Sequence, residues 1–252
     1  MIFYPQPELT SQHNALQAPQ RADFILAEGS CDWFASDIII YQCEFNPAHF
    51  VDALYEYYRI EIPDNICQSV IKRRAEFLAG RYCAGKALTQ LGVSETSVAI
   101  GAHSAPLWPN AITGSISHCN CCALAAVSLN SGYRGIGIDI ENKISDTTID
   151  RLNKYVLCAA ETKWLPIERD ARASLFTLIF SLKESFFKAA FAMVGRYFDF
   201  DAVTVLEIDH STGKIHYKVN GSLADSLPAN TLLIGSFHFL PNNRVVTCVT
   251  LT

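Results

Sequence analysis

The stretch Gly135-Ile136-Gly137-Ile138-Asp139-Ile140-Glu141 restricts the fold more than any other part of the chain. Every second residue is isoleucine, which predicts a β-strand with one face buried. Asp139 and Glu141 share the opposite face, roughly 6.6 Å apart along the strand. Gly135 and Gly137 lie on that same face and predict that it is left uncrowded. Two acids beside bare backbone suit a hard cation such as Mg²⁺, which takes oxygen ligands and usually retains waters and substrate phosphates. An ordinary solvated sheet face fits the same pattern, because one Asp-x-Glu pair is a weak signal.

A third acid comes from Ser181-Leu182-Lys183-Glu184-Ser185-Phe186-Phe187-Lys188. At about 100° per residue, Phe176, Phe180, Phe187 and Phe191 form one helical stripe with Glu184 at its edge. Leu175, Leu178, Ile179, Leu182 and Phe186 occupy the remaining surface, so the helix is apolar nearly all round and predicted to be buried. A carboxylate there must be paired, coordinated or neutralised, since an isolated buried charge is costly. Lys188, four residues on, allows an internal Glu184–Lys188 pair. A metal shared with Asp139 and Glu141 is the other solution.

Basic residues stand on an earlier helix, predicted over 67–92 and stopped by Gly92. Arg74 and Arg81 fall within about 20° of one another, two turns or about 10.5 Å apart. Phe77, Leu78, Gly85 and Leu88 surround them, and the guanidinium fork suits phosphate or carboxylate. Snorkelling, or pairing with a local acid such as Glu76, is the alternative. His118, at a strand end after Ser115 and Ser117, offers further phosphate donors.

Composition sets outer limits. A chain of 252 residues makes one large domain or two of about 120. Half the residues are apolar and 18% charged, which excludes a disordered chain. A net charge of −5 argues against a general nucleic-acid binder. Met1 to Pro7 lacks a basic stretch followed by an apolar run, and nothing approaches the ~20 apolar residues of a membrane span. A cytoplasmic protein is predicted, so its nine cysteines read as reduced thiols. Cys119-Asn120-Cys121-Cys122 has no second Cys or His pair at zinc-site spacing, and Cys122 reads as a small hydrophobe entering a strand.

Along the chain, strands are predicted at Asp37–Tyr41, Ser97–Ile100, Ile112–His118 and Cys122–Leu129, the last two paired, with a loop at Pro106–Pro109. Asn130–Gly135 reads as a linker. Helices over 147–165 and 171–194 follow, then strands at Val203–Leu206, Ile215–Val219 and Val245–Val249. Gly114-Ser115-Ile116-Ser117-His118 is echoed half a chain later by Gly235-Ser236-Phe237-His238. The echo fits two similar α/β lobes packed about a pseudo-twofold axis with the ligand between them.

Arg74-Ala75-Glu76-Phe77-Leu78-Ala79-Gly80-Arg81, Pro106-Leu107-Trp108-Pro109, Gly114 to His118, Gly137 to Glu141 and Phe180 to Lys188 occur in this order. The set resembles the 4′-phosphopantetheinyl transferases, in particular the enterobactin-synthesis branch of the two-lobed, surfactin-type group. The shorter, trimeric holo-acyl-carrier-protein synthases are half this length and fit poorly. The resemblance implies an α+β fold of two lobes, here 1–130 on the nucleotide side and 131–252 with the acids, with the site in the cleft. It implies transfer of the 4′-phosphopantetheine arm of coenzyme A to a serine of an apo carrier protein, with Mg²⁺, leaving 3′,5′-ADP. It also implies a monomer serving siderophore or other nonribosomal peptide or polyketide synthesis, with no nucleic-acid or membrane partner.

By motif position, Asp139, Glu141 and Glu184 would hold Mg²⁺; Glu184, Lys188 and Asp139 would carry the chemistry. Arg74, Arg81, Ser117, His118, Lys183 and Lys188 would bind coenzyme A. The chain departs from many relatives in having Phe180 where they have tryptophan, and Ser104 and Ala105 where they have a basic residue, leaving His103 as the nearest titratable group. Two other classes use similar residues: a Mg²⁺-dependent phosphohydrolase of a nucleotide pyrophosphate, and a non-catalytic carrier-binding module. Only the transferase needs both the full acid set and an open acceptor surface, for which Ile144–Leu165, with Tyr155 and Trp164, is the expected region.

Overall fold

The computed structural model describes residues 23–252, so the first 22 residues of the expected N-terminal lobe, including Met1 to Pro7, lie outside the described residues. The first half carries β1 (Ile25–Ser30), β2 (Ile39–Phe45), the short helices α1 (Ala53–Tyr58) and α2 (Asp64–Cys67), and the long helix α3 (Ile71–Gln90). The short strands β3 (Ala99–Ile100) and β4 (Pro106–Leu107) follow, then the hairpin of β5 (Ile112–Cys119) and β6 (Cys122–Leu129). The second half carries β7 (Gly135–Asn142), α4 (Asp146–Val156), α5 (Ala159–Thr162) and the long helix α6 (Arg169–Val194). It closes with β8 (Val203–Asp209), β9 (Lys214–Val219), β10 (Leu232–Leu240) and β11 (Arg244–Leu251).

The result is a mixed helix-and-sheet fold. A four-stranded sheet runs β1-β2-β6-β5 and a five-stranded sheet runs β7-β11-β10-β9-β8, with β3 and β4 pairing apart. In each half a strand leads to a long helix and then to a hairpin whose second strand pairs back on the first: β6 with β2, β11 with β7. The apolar alternation explains the layers. Ile136, Ile138 and Ile140 are buried against Ile40, Leu124 and Ala126 of the first sheet and Ile38 just before β2, joined by Val246 and Cys248. Each such side chain contributes about 1.5–3 kcal/mol when fully removed from water. Cys122 is buried here as a packing residue, and the nine cysteines are free thiols.

The face of β7 opposite the isoleucines is not open, which corrects the expectation drawn from its glycines. Helix α6 lies directly on it. A β-carbon on Gly137 would stand 1.7 Å from the Ser185 carbonyl oxygen, and one on Gly135 would stand 2.1 Å from that of Ala189. The glycines therefore admit a helix backbone rather than solvent. The helix is capped at both ends: the Glu168 carboxylate accepts from the Asp170 and Ala171 amides, and Gly195 turns left-handed at φ 68°.

Two further strand edges and breaks shape the site. β7 is an edge strand, and β5 seals that edge with side chains: Ser115 Oγ accepts from the Ile138 amide at 3.1 Å and Ser117 Oγ from the Ile140 amide at 3.3 Å. The helix expected over 147–165 is two helices, because Leu157 is extended and Glu161 folds back to accept from the Cys158 amide. The helix expected from residue 67 is likewise interrupted, since Val70 is extended before α3 begins. β10 escaped the pattern reading, because Leu232 and Ile234 are apolar yet exposed. No helix among the described residues is long and apolar enough to cross a membrane.

Candidate active site

Asp139 sits at the junction of β7, β5 and α6. Its Oδ1 accepts from Lys188 Nζ at 2.7 Å and from Ser117 Oγ at 2.9 Å. Lys188 Nζ also donates to Ser117 Oγ at 3.0 Å and to the Ile138 carbonyl at 3.1 Å. The other carboxylate oxygen, Oδ2, is buried and without a partner. An orphaned buried carboxylate oxygen is costly, and a bound cation would relieve it.

The other two acids are held out of their ordinary state by the same surroundings. Burial, then the charge of Asp139, pushes the Glu141 carboxyl up to about 8, with Glu184 adding to the rise and Lys188 opposing it. Glu184 is also raised, first by burial and then by Asp139, against the pull of Lys188. The charge of Asp139 thus reaches Glu141 on its own strand and Glu184 on α6. Lys188 ion-pairs with Asp139, so the internal Glu184–Lys188 pair is not the arrangement adopted. Glu184 instead lines a cavity of about 210 Å³ with Phe186, Phe187, Phe198 and Phe200.

A second group of polar residues gathers at the end of β5. Arg73 Nη1 lies 3.0 Å from His118 Nε2, and Glu76 Oε2 lies 3.8 Å from His118 Nδ1. A guanidinium only donates, so Nε2 is the accepting nitrogen and the ring proton sits on Nδ1 towards Glu76. Burial lowers the His118 pKa, consistent with that neutral form. Arg81, Gly80, Ile100, Ser104 and Pro106 complete a cavity of about 140 Å³ around this group. His103, in the loop with Ser104 and Ala105, reaches the rings of Phe191 and Tyr197, each at 5.6 Å. That loop therefore touches the far end of α6.

Three expected ligand contacts are corrected. Lys183 borders the cavity at Glu184, but its ammonium is committed to the interior: the side chain is 1% exposed and ion-paired at 2.8 Å with the fully buried Glu161, and it donates to the Val156 carbonyl at 2.7 Å. One residue before Glu184, it faces about 100° away around the helix. Arg74 points to Asp52, at 2.5 Å, and over the Phe50 ring, so it ties α3 to the preceding segment. Ser117 is buried and gives its one hydroxyl proton to Asp139, so it positions the acid rather than reaching a nucleotide. Of the expected nucleotide residues, Arg81 and His118 share a cavity and Lys188 stands beside Asp139.

The sequence reading missed Arg73 as a site residue and placed Glu76 only as a local pairing partner. Their signal was available: Arg73, Glu76 and Gly80 recur at the three- and four-residue spacing of one helix face. Glu161 signals locally only as a cap on the Cys158 amide; its ion-pair partner Lys183 and the Val205 amide come from α6 and β8.

The donor set fits a hard divalent cation in part. Among the described residues no three His, Cys, Asp or Glu side chains are gathered tightly enough to form a ready cage. Mg²⁺ does not require one, since it is usually held by one or two carboxylates plus waters and substrate phosphates. The bare Asp139 oxygen and the two acids with raised pKa match that description.

Comparison with known proteins gives the family. The family model of the 4′-phosphopantetheinyl transferase N-terminal domain matches residues 63–128, and that of the 4′-phosphopantetheinyl transferase superfamily matches residues 135–247. The chain is 35% identical over 136 residues to the 4′-phosphopantetheinyl transferase Npt of Nocardia iowensis, covering 54% of this chain and 60% of that protein. It is 33% identical over 172 residues to PptT of Mycobacterium tuberculosis, covering 66% of this chain and 75% of that one. Enterobactin synthase component D of Escherichia coli K12 is 38% identical over 151 residues, 58% of this chain and 68% of that protein. The match thus spans less than two thirds of the Nocardia relative. On two family models in sequence order and a relative matched over three quarters of its length, the chain belongs to the 4′-phosphopantetheinyl transferase superfamily.

Proposed function

We propose that this protein transfers the 4′-phosphopantetheine group of coenzyme A to a serine hydroxyl of an apo carrier protein, releasing 3′,5′-ADP. The observation that carries the reading is Asp139, fixed by Ser117 and Lys188 on one oxygen and bare on the other, with Glu141 and Glu184 destabilised as anions beside it. Asp139, Glu141 and Glu184 would hold Mg²⁺, which when bound neutralises charge on the pyrophosphate. Phosphoryl transfer asks little more of a protein than positioning and electrostatics.

The remaining work falls to the chain's own groups. Glu184, raised by burial, takes the proton of the acceptor serine hydroxyl. The serine oxygen forms a bond to the phosphorus that carries the pantetheine arm, and the bridging P–O bond of the pyrophosphate breaks. Lys188 steadies the negative oxygen of the departing 3′,5′-ADP. Arg73, Arg81 and His118 bind the nucleotide phosphates, and the phenylalanine-lined cavity beside Glu184 accommodates the pantetheine arm.

The two halves act as lobes related by a pseudo-twofold axis, divided near residue 130 as 1–130 and 131–252. Support comes from the repeated order of strand, long helix and hairpin, and from the echoed motifs lying in β5 and β10, the first strands of the two hairpins. A single chain supplies both sides of the cleft, so the active unit is a cytoplasmic monomer. Because several relatives are named enterobactin synthase component D, the carrier is assigned to siderophore or related nonribosomal assembly.

The test is to incubate the protein with coenzyme A, Mg²⁺ and an apo carrier and weigh the carrier. A phosphopantetheine mass gain with release of 3′,5′-ADP is expected. Cleavage of coenzyme A without that gain would establish a hydrolase, and no change in either would establish a binding module.

A further inference from the structure

Ser181, Ser185 and Lys188 recur along α6 at four- and three-residue spacing, which puts them on one helix face. Lys188 meets Asp139 of β7. The two serines meet Thr247 of β11, and these three hydroxyl residues are completely buried. Thr247 Oγ1 lies 2.9 Å from Ser181 Oγ and 2.7 Å from Ser185 Oγ. Ser185 Oγ also donates to the Thr247 carbonyl at 3.1 Å. One proton arrangement satisfies the trio: Ser185 gives its proton to the carbonyl and accepts from Thr247, which accepts from Ser181.

Thr247 stands opposite Asp139 in the ladder between β7 and β11. Its hydroxyl therefore grips the helix on both sides of Glu184 in sequence, from the position beside the strand acid. Stability alone does not call for this trio, because apolar side chains of the same shape would fill the space with no polar group to satisfy. Direction is what the hydroxyls add. Apolar packing is non-directional, whereas a fully satisfied buried network holds one arrangement. A helix advances about 1.5 Å and turns about 100° per residue, so a slip of one residue would carry Lys188 off Asp139.

We infer that Thr247 is a positioning residue: its hydroxyl sets the register of α6 on β7 and β11, and so places Lys188 and Glu184 relative to Asp139. Its kinetic consequence rests on the function proposed above; its structural consequence does not.

The test follows the ammonium groups of Lys183 and Lys188 by heteronuclear NMR in the full chain, without coenzyme A, metal or carrier. Hydrogen-bonded ammonium protons shielded from water exchange slowly enough to be seen, and Lys183→Met and Lys188→Met assign the two signals. Thr247→Val keeps the shape and removes the hydroxyl. It should shift or broaden away the Lys188 signal and leave that of Lys183, which faces Glu161, in place. Thr247→Ser should keep both signals, and Ser185→Ala, a smaller change at the same joint, should reproduce the valine result. In the transfer assay Thr247→Val should lower kcat by about 10² with the KM for coenzyme A little changed, and Thr247→Ser should restore kcat to within about threefold of the parent. An unshifted Lys188 signal in Thr247→Val or, if that variant does not fold, in Ser185→Ala would overturn the inference. Loss of both lysine signals together, the mark of a merely structural role, would do the same. The ammonium signals need no transfer reaction, so they decide the inference separately from the function.

Discussion

The two long helices are packed against their sheets in different ways, and the difference separates acid from base. Helix α6 rests on the bare backbone of Gly135 and Gly137, close enough that Lys188 bonds to the strand's own Ile138 carbonyl. Helix α3 rests on side chains, with Ala75, Ala79 and Cys83 against Cys43, Ala123, Ala125 and Val127. The first contact brings helix and strand carboxylates into one field. The second leaves room at the helix flank for Arg73, Arg81 and His118 to line a cavity. Close approach sets Lys188 beside Asp139 on the strand, and looser packing leaves the cavity at His118.

The largest effect should come from closing that close approach. Gly137→Val forces backbone apart at β7 and α6 and should destabilise the protein by on the order of 5 kcal/mol, measured by denaturant unfolding. Gly29→Ala, whose added carbon meets nothing within 4 Å, should be nearly neutral by the same measurement.

The next prediction sharpens the contrast within α6, where Lys183 and Lys188 face different surroundings. Lys183→Met leaves Glu161 charged and unpaired in the interior and should reduce stability by about 3–5 kcal/mol. Lys188→Met leaves the buried Asp139 carboxylate with Ser117 alone, so it too should cost stability. In addition it should lower kcat by about 10²–10³, as loss of a transition-state donor does, whereas Lys183→Met should leave kcat nearly unchanged. Equal effects of the two substitutions on kcat would break the distinction.

On α3 the corresponding contrast is Arg73 against Arg74. Arg73→Ala should raise KM for coenzyme A about tenfold with kcat little changed. Arg74→Ala should leave KM alone and cost stability, since its partners are Asp52 and Phe50. Steady-state kinetics on both variants decides the matter.

These pairs also mark what the sequence made legible. The isoleucine alternation of β7, the phenylalanine stripe of α6 and the order of motifs yielded the strand, the buried helix and the acids Asp139, Glu141 and Glu184. The glycines were legible as bare backbone but not as a helix seat, because the atom they avoid is the carbonyl of Ser185, nearly fifty residues away in sequence. Helical angles place Arg74 beside the apolar stripe of Phe77 and Leu88, whereas the cavity at His118 opens along Arg73, Glu76 and Gly80. Lys183 was carried into the ligand set by its place in the motif, and only tertiary structure reveals Glu161 waiting for it. β10 was hidden because its alternation is broken: Leu232, Ile234 and Phe239 are exposed while Leu233 and Phe237 pack inward.

The smallest predicted effect concerns pH. The Glu141 carboxyl rises from an ordinary 4.5 to about 8 in the folded protein, chiefly through burial. The folded state therefore holds this proton more tightly than the unfolded state, and the stability it contributes is complete below 4.5 and lost as pH climbs to about 8. Glu141→Gln should match the parent at pH 4 and melt a few degrees higher at pH 8 and above. A constant difference across that window would contradict the assignment.

The central claim is that acids from β7 and from α6 serve one divalent ion on the coenzyme A pyrophosphate. It is tested most directly by titrating Mn²⁺ into the protein with coenzyme A present and counting bound ions by electron paramagnetic resonance. The account predicts one site in the parent, severely weakened both by Asp139→Ala and by Glu184→Ala, with transfer to the carrier falling in step. Full Mn²⁺ binding and undiminished transfer in Glu184→Ala would contradict it.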